Sequence, residues 1–157
     1  MKNLIYTVFS TLIIASSVST VWAKNPNDAK FSHIGNSAAI PNNANTLDAT
    51  HKFDVHVQGK AISELMIDLP KGVSIDKGIE VQNKLNQKIP TTVSMNATKA
   101  TVVFAEPVAP GTSISIRMKG VNTQGYEKTW HYPVSVKKVD MKEEISLGLA
   151  RIQTYGG

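Results

Sequence analysis

From Lys52 onward, apolar and polar residues alternate with a period of two in several segments. Phe53, Val55 and Val57 alternate with Lys52, Asp54 and His56, the pattern of a strand with one buried and one wet face. Leu65, Ile67 and Leu69 repeat it against Glu64, Met66 and Asp68. If the two segments form an antiparallel hairpin through Gln58-Gly59-Lys60-Ala61-Ile62, coincident apolar faces set Phe53 opposite Ile67 and Val55 opposite Leu65. Lys52 then meets Asp68 and His56 meets Glu64, complementary pairs on the wet face. Pro70-Lys71-Gly72 closes the second strand as a turn.

Farther along, Thr91 to Asn96 points Val93 and Met95 inward, and Thr101 to Ala105 is an apolar run of the buried-strand kind. Asn96 to Ala100 reads as the hairpin loop between them. Pro107 and Pro110-Gly111 form the next break. Ile114, Ile116 and Met118 then alternate with Ser113, Ser115 and Arg117. After a turn over Gly120 to Gly125, Trp130, Tyr132, Val134 and Val136 share one face. Glu144 to Tyr155 fits a strand or a helix, with Gly148 favouring the strand, and Asp76 to Gln87 fits a strand or a short helix. About seven to eight short strands separated by turn signals predict an all-β, immunoglobulin-like β-sandwich with little helix.

The N-terminal part has a different texture. Met1 to Ala23 carries Lys2, an apolar stretch centred on Leu4 to Ile14, a run of small residues and a Val21-Trp22-Ala23 ending. This order predicts a secretory signal peptide cut after Ala23, hence a periplasmic or extracellular protein. Ser10, Thr11 and the Ser-Ser-Val-Ser-Thr run interrupt the segment before it reaches the roughly 20 apolar residues of a membrane span. Lys24 to Thr50 is Asn-rich with few large apolar residues, which predicts a linker or flexible arm, since it buries too little to offset its ordering entropy. Residues 51–157 remain as the sandwich domain.

Composition narrows the chemistry. The 157 residues contain no cysteine, which excludes a disulfide framework, a thiolate metal site and a cysteine nucleophile. Seventeen Lys and Arg against 12 Asp and Glu are scattered rather than clustered, and no aromatic-basic surface of a nucleic-acid binder is visible. The four histidines suggest a copper or zinc carrier built on His51, His56 or His131. Their spacing opposes this, because His51 and His56 face opposite ways on one strand. Asp54, Glu64 and Asp68 share the predicted wet face, as the paired acids of a sugar hydrolase would, yet interleaved Lys52 and His56 make a salt-paired surface the simpler account. There is no Gly-x-Ser-x-Gly turn, no Ser-x-x-Lys element of the kind that places a nucleophile beside its base, and no phosphate-cradling loop. The pattern therefore predicts no enzyme and no cofactor. A carbohydrate platform built on Trp130, Tyr132 or Tyr126 is a further alternative, although Trp130 and Tyr132 fall in phase with a buried face.

The segments His51-Lys-Phe-Asp-Val55, Leu65-Met-Ile-Asp-Leu-Pro70, Glu106-Pro-Val-Ala-Pro-Gly-Thr112 running into Ile114-Ser-Ile-Arg117, and Leu147-Gly-Leu-Ala-Arg151 together resemble an uncharacterised family of secreted cyanobacterial proteins, a domain of unknown function. The resemblance spans about Asp48 to Tyr155, and departs from the family's Asn-Pro pair at Asn122-Thr123-Gln124. It implies export, a bacterial envelope setting and no known activity, and it carries over no catalytic residue. Together these readings predict an exported, non-catalytic binding or structural module of the cell envelope, whose partner is another envelope protein or a second copy. A free sheet edge is its natural docking surface.

Overall fold

The structure is a computed structural model that describes residues 31–156. Its elements are β1 (His33–Ile40), β2 (Ala49–His56), β3 (Ile62–Asp68), β4 (Ser74–Asn83), β5 (Thr91–Met95), β6 (Lys99–Val108), β7 (Ser113–Asn122), β8 (Lys128–Lys138) and β9 (Ile145–Thr154). There is no helix among the described residues. The strands form two antiparallel sheets, β1-β2-β7-β4 and β5-β6-β3-β8-β9. The first sheet has the A-B-E-D order of an immunoglobulin-like sandwich, and β3-β8-β9 have the C-F-G order of its partner. The β5–β6 hairpin is an insertion that extends the second sheet beyond β3. Both ambiguous segments are strands, as β4 and β9.

The pairing of the first two predicted strands is corrected. β2 pairs with β1 and β7, whereas β3 lies in the other sheet between β6 and β8. Phe53 sits beside Ser37 and Ile116, and Ile67 beside Ala100 and Val134. Two amphipathic strands can hide their apolar faces side by side within a sheet or face to face across a sandwich, and alternation alone is satisfied by both. What decides is the end of β2, where the Val57 N–H donates to Thr112 O at 2.9 Å and Val57 O accepts from the Gly111 N–H at 2.7 Å. This places β2 against β7 and sends Gln58 to Ala61 across to the second sheet. The expected charge pairs fall with the hairpin: Lys52 lies beside Arg117, and Glu64 pairs with Lys137 at 3.6 Å.

The core lies between the sheets. Phe53, Val55, Ile114, Ile116 and Met118 face Leu65, Ile67, Trp130, Tyr132, Val134 and Ile152, and all are buried. The Trp130 indole N–H donates to Thr154 Oγ1 at 2.9 Å, and that hydroxyl donates to Tyr126 O at 2.8 Å, so the large ring is buried with its polar atom satisfied. Met95, expected inward, is 40% exposed, because β5 is the edge of its sheet and Met95 stands at the hairpin tip.

Residues 33–40, placed by the sequence within a flexible arm, form β1 instead. His33–Ile40 carries Ile34, Ala38, Ala39 and Ile40 without a regular alternation, and its order comes from pairing along β2 and packing against β9, a tertiary effect that the local pattern does not carry. The Asn-rich loop after it is also tied down. The Tyr155 N–H donates to Asn42 O and the Ala44 N–H to Tyr155 O, each at 2.8 Å. The expected signal peptide and the start of the expected arm lie outside the described residues.

One polar pair crosses the core. His51, on β2, is 0% exposed, and its Nδ1 lies 2.7 Å from the Tyr132 hydroxyl on β8. Its Nε2 has no hydrogen-bond partner among the described residues. Burial pushes the His51 imidazole down from 6.5 to about 4 and the Tyr132 phenol up. The unfolded chain therefore takes up a proton on this ring at a higher pH than the folded protein does. Stability from the neutral ring is fully present above 6.5 and is lost as pH falls from 6.5 to about 4, by up to about 3 kcal/mol. Urea denaturation across this range should show the loss, and His51→Phe should flatten that part of the curve; an unchanged pH dependence in the variant would contradict the assignment.

Candidate functional site

The residues singled out from the sequence are dispersed by the fold. His51 is in the core, His56 points from the outer face of the four-stranded sheet, and His131 is exposed on the outer face of the other. No group of three His, Cys, Asp or Glu able to hold a metal occurs among the described residues. Asp54 lies on β2, while Glu64 and Asp68 lie on β3 of the opposite sheet, so the single acidic face expected from the hairpin does not form. Trp130 and Tyr132 are buried, which leaves Tyr126 as the exposed ring of the expected sugar platform.

The fold also makes contacts that the sequence did not announce. His56 stacks on His33 with ring centroids 4.8 Å apart, and its Nδ1 contacts Ser113 Oγ. Desolvation, followed by the neighbouring His33, lowers the His56 pKa. A serine hydroxyl on an imidazole is the start of a nucleophile–base arrangement, which also needs a third group to orient the base. Here Nε2 faces the backbone of Gly35, where a Cβ would come within 2.6 Å, and Ser113 is buried. The pair is a packed hydrogen bond at the end of β2.

The two long sides of the sandwich differ. On one, β1 packs against β9, and Asn43 bridges to Tyr155. On the other, β4 and β5 barely touch. Folded proteins protect sheet edges with bulges, charges, prolines or covering segments. β1 carries an irregularity between Ile34 and Ser37, β4 one between Ile75 and Gly78, and β9 one beside Gly148, whose φ is 96°. The far end of β4 is further covered by the Ile89 N–H, which donates to Val81 O at 2.8 Å. β5 has none of these features. Its register with β6 runs without interruption from Thr91 to Met95, and Thr-Thr-Val-Ser-Met contains no charge, glycine or proline.

Two grooves flank this edge where the sandwich is open. One, of about 290 Å³, is lined by Leu69, Val73, Ile75 and Met95. The other, of about 340 Å³, is lined by Ile79, Glu80, Lys88, Ile89, Thr91 and Lys119. In the second, Lys119 Nζ lies 2.6 Å and Lys88 Nζ 3.5 Å from the Glu80 carboxylate, which also accepts from Gln82 at 2.7 Å. The hydrogen bond from Lys119, then that from Gln82, holds the Glu80 pKa down from 4.5 to about 2. The stability this supplies is present above 4.5 and is lost as pH falls toward 2. Carboxyl chemical shifts followed by NMR should report Glu80 titrating near 2, and Lys119→Met should raise that value; no change in the variant would rule out Lys119 as the main cause.

No curated protein matches the chain. Among solved structures, the collagen-binding domain from a Staphylococcus aureus adhesin is 10% identical with a TM-score of 0.47, covering 80% of this chain and 99% of its own. A non-cellulosomal cohesin from the hyperthermophilic archaeon Archaeoglobus fulgidus is 11% identical with a TM-score of 0.41, covering 79% of this chain and 86% of its own. A family 123 glycoside hydrolase from Clostridium perfringens is 7% identical with a TM-score of 0.35, over 80% of this chain and 27% of its own. At such identities the likeness does not extend to function. At the level of sequence, residues 30–153 match the model described as "Protein of unknown function (DUF2808)", and the chain belongs to that family.

Proposed function

We propose that this protein is a non-catalytic binding module, exported by a signal peptide cut after Ala23, that acts in the bacterial cell envelope by accepting an extended segment of another protein as an added strand on β5. The observation that carries this reading is the contrast between β5 and the other edge strands. β1, β4 and β9 are each interrupted, and β5 is regular, uncharged and open to solvent on the side away from β6. Such an edge presents alternate backbone N–H and C=O groups as a ready ladder.

Backbone pairing alone is a weak basis for recognition here. A strand as short as Thr91–Met95 offers only a few ladder hydrogen bonds, each worth about 0.5–1.5 kcal/mol net. Selectivity must come from side chains, and the flanking grooves supply two different environments for them. The groove at the Met95 end is largely apolar, whereas the Thr91 end brings Lys88 and Lys119 to the single carboxylate of Glu80. The partner segment is therefore extended, with an apolar side chain at the first groove and an acidic one at the second.

A photo-cross-linking residue placed in whole cells at Thr92 or Ser94, both exposed on β5, should capture one discrete protein. The same residue at Arg151 on β9 should not, and Val93→Lys should abolish the adduct. Recovery of monomer alone from the β5 positions, or equal capture from β9, would overturn the reading.

A further inference from the structure

On the opposite sheet, away from the β5 edge, lies a polar depression of about 320 Å³ on the outer face of β1-β2-β7-β4. Its floor is built by strand register. Lys52 and Arg117 form one row across β2 and β7, continued by Glu80 on β4 outside the depression, and Asp54, Ser115 and Gln82 form the next. The loop after β4 stands over one side, bringing Asn83, Lys84 and Asn86 to the rim. That loop is held in shape by Asn83, whose Oδ1 accepts from the Leu85 and Gln87 N–H groups at 2.9 and 3.0 Å.

No salt bridge joins Lys52, Asp54, Lys84 and Arg117, the Lys, Arg and Asp side chains of the lining, to one another. Glu80, the carboxylate next to Arg117 in the row, is engaged by Lys119, Lys88 and Gln82. Lys52, Lys84, Arg117 and Asp54 make no ion pair among the described residues, and Arg117 Nε and Ser115 Oγ are buried atoms without a hydrogen-bond partner there. Lys52, Lys84 and Asp54 therefore leave both signs of charge free to meet a ligand within one depression. The depression is of the size that takes a small ligand.

We propose that this depression binds a carboxylated sugar, a uronic acid unit of an acidic glycan. Arg117 and Lys52 take its carboxylate, a planar anion that a guanidinium grips with paired hydrogen bonds. Asp54 and Gln82 take its hydroxyls, since a carboxylate accepts from hydroxyl donors and a primary amide both donates and accepts. The presence of Asp54 among three cations decides the ligand class. A site for a bare phosphate or sulfate gains nothing from a carboxylate that repels the anion, whereas a hydroxylated acid uses cations and carboxylate together. This site is independent of strand addition at β5, and neither reading requires the other.

Amide NMR titration of the protein with oligogalacturonate, maltotetraose and inorganic phosphate tests the assignment. Oligogalacturonate should shift Lys52, Asp54, Ser115 and Arg117, and neutral maltotetraose should leave them in place. Arg117→Gln and Asp54→Asn should each weaken oligogalacturonate binding at least about tenfold, the scale of losing a hydrogen bond to a charged group, while Asp54→Asn strengthens phosphate binding. Val93→Lys should leave the titration unchanged. Should Arg117→Gln fail to fold, Lys52→Gln and Asp54→Asn carry the test, with their spectra reporting the fold. Absence of shifts with oligogalacturonate, equal affinity for phosphate, or Asp54→Asn binding as well as the wild type would each overturn the proposal.

Discussion

Everything in this molecule depends on two sheets burying their alternate residues against each other. Each strand has one dry face, and the interlayer takes all of it: Phe53, Val55, Ile114 and Ile116 from one sheet, Leu65, Ile67, Val134 and Val136 from the other. There is no helix and no disulfide in the described part, and Met66 of β3 is a large apolar side chain buried outside the interlayer cluster. What remains for recognition is therefore the outer faces, which must be polar, and the edges, which must be guarded or used.

The His51–Tyr132 contact is the exception within that layer. It places a hydrogen bond between β2 and β8, with both side chains fully buried. A buried pair of this kind adds little net stability compared with a packed apolar substitute, but it heavily penalises any arrangement that separates the two groups. Sliding β2 by one residue would turn His51 outward and strand the Tyr132 hydroxyl. Alternation alone does not distinguish a strand's register from one shifted by two residues. The His51–Tyr132 pair does.

How far the sequence can be read follows from the same physics. Alternation located Ile114–Met118 on β7 and Trp130–Val136 on β8 with their correct faces, because period two is a local property of the chain. It assigned β2 and β3 correctly as strands but paired them wrongly, since a face-to-face crossing and a hairpin hide Phe53 and Ile67 equally well. β1 was missed because Gly35, Asn36 and Ser37 dilute its pattern, and its order is lent by β2 and β9. The candidate sites were less legible still. Thr91–Met95 looks like any half-buried strand until the topology makes it an edge, and Arg117 and Asp54 are distant in sequence until register sets β2 beside β7. The alternation of Lys52, Asp54 and His56, and of Ser113, Ser115 and Arg117, with apolar residues signalled in advance that each strand would have a polar face, but not that the two faces would adjoin.

The inserted β5–β6 hairpin explains why one edge is left open. In a sandwich of seven strands, β3 would end its sheet, and its outer side would expose the backbone of Leu65-Met66-Ile67, a run in which all three side chains are buried here. A long apolar edge of that kind is an invitation to indiscriminate pairing. The hairpin covers β3 with β6 along most of its length and shifts the edge outward to β5, which is shorter and consists chiefly of threonine and serine. The risk is reduced rather than removed: too few ladder bonds remain for strands to associate on backbone pairing alone, and a partner with suitable side chains for the flanking grooves can still dock. An edge of this length therefore selects its occupant, where the bare β3 edge would not.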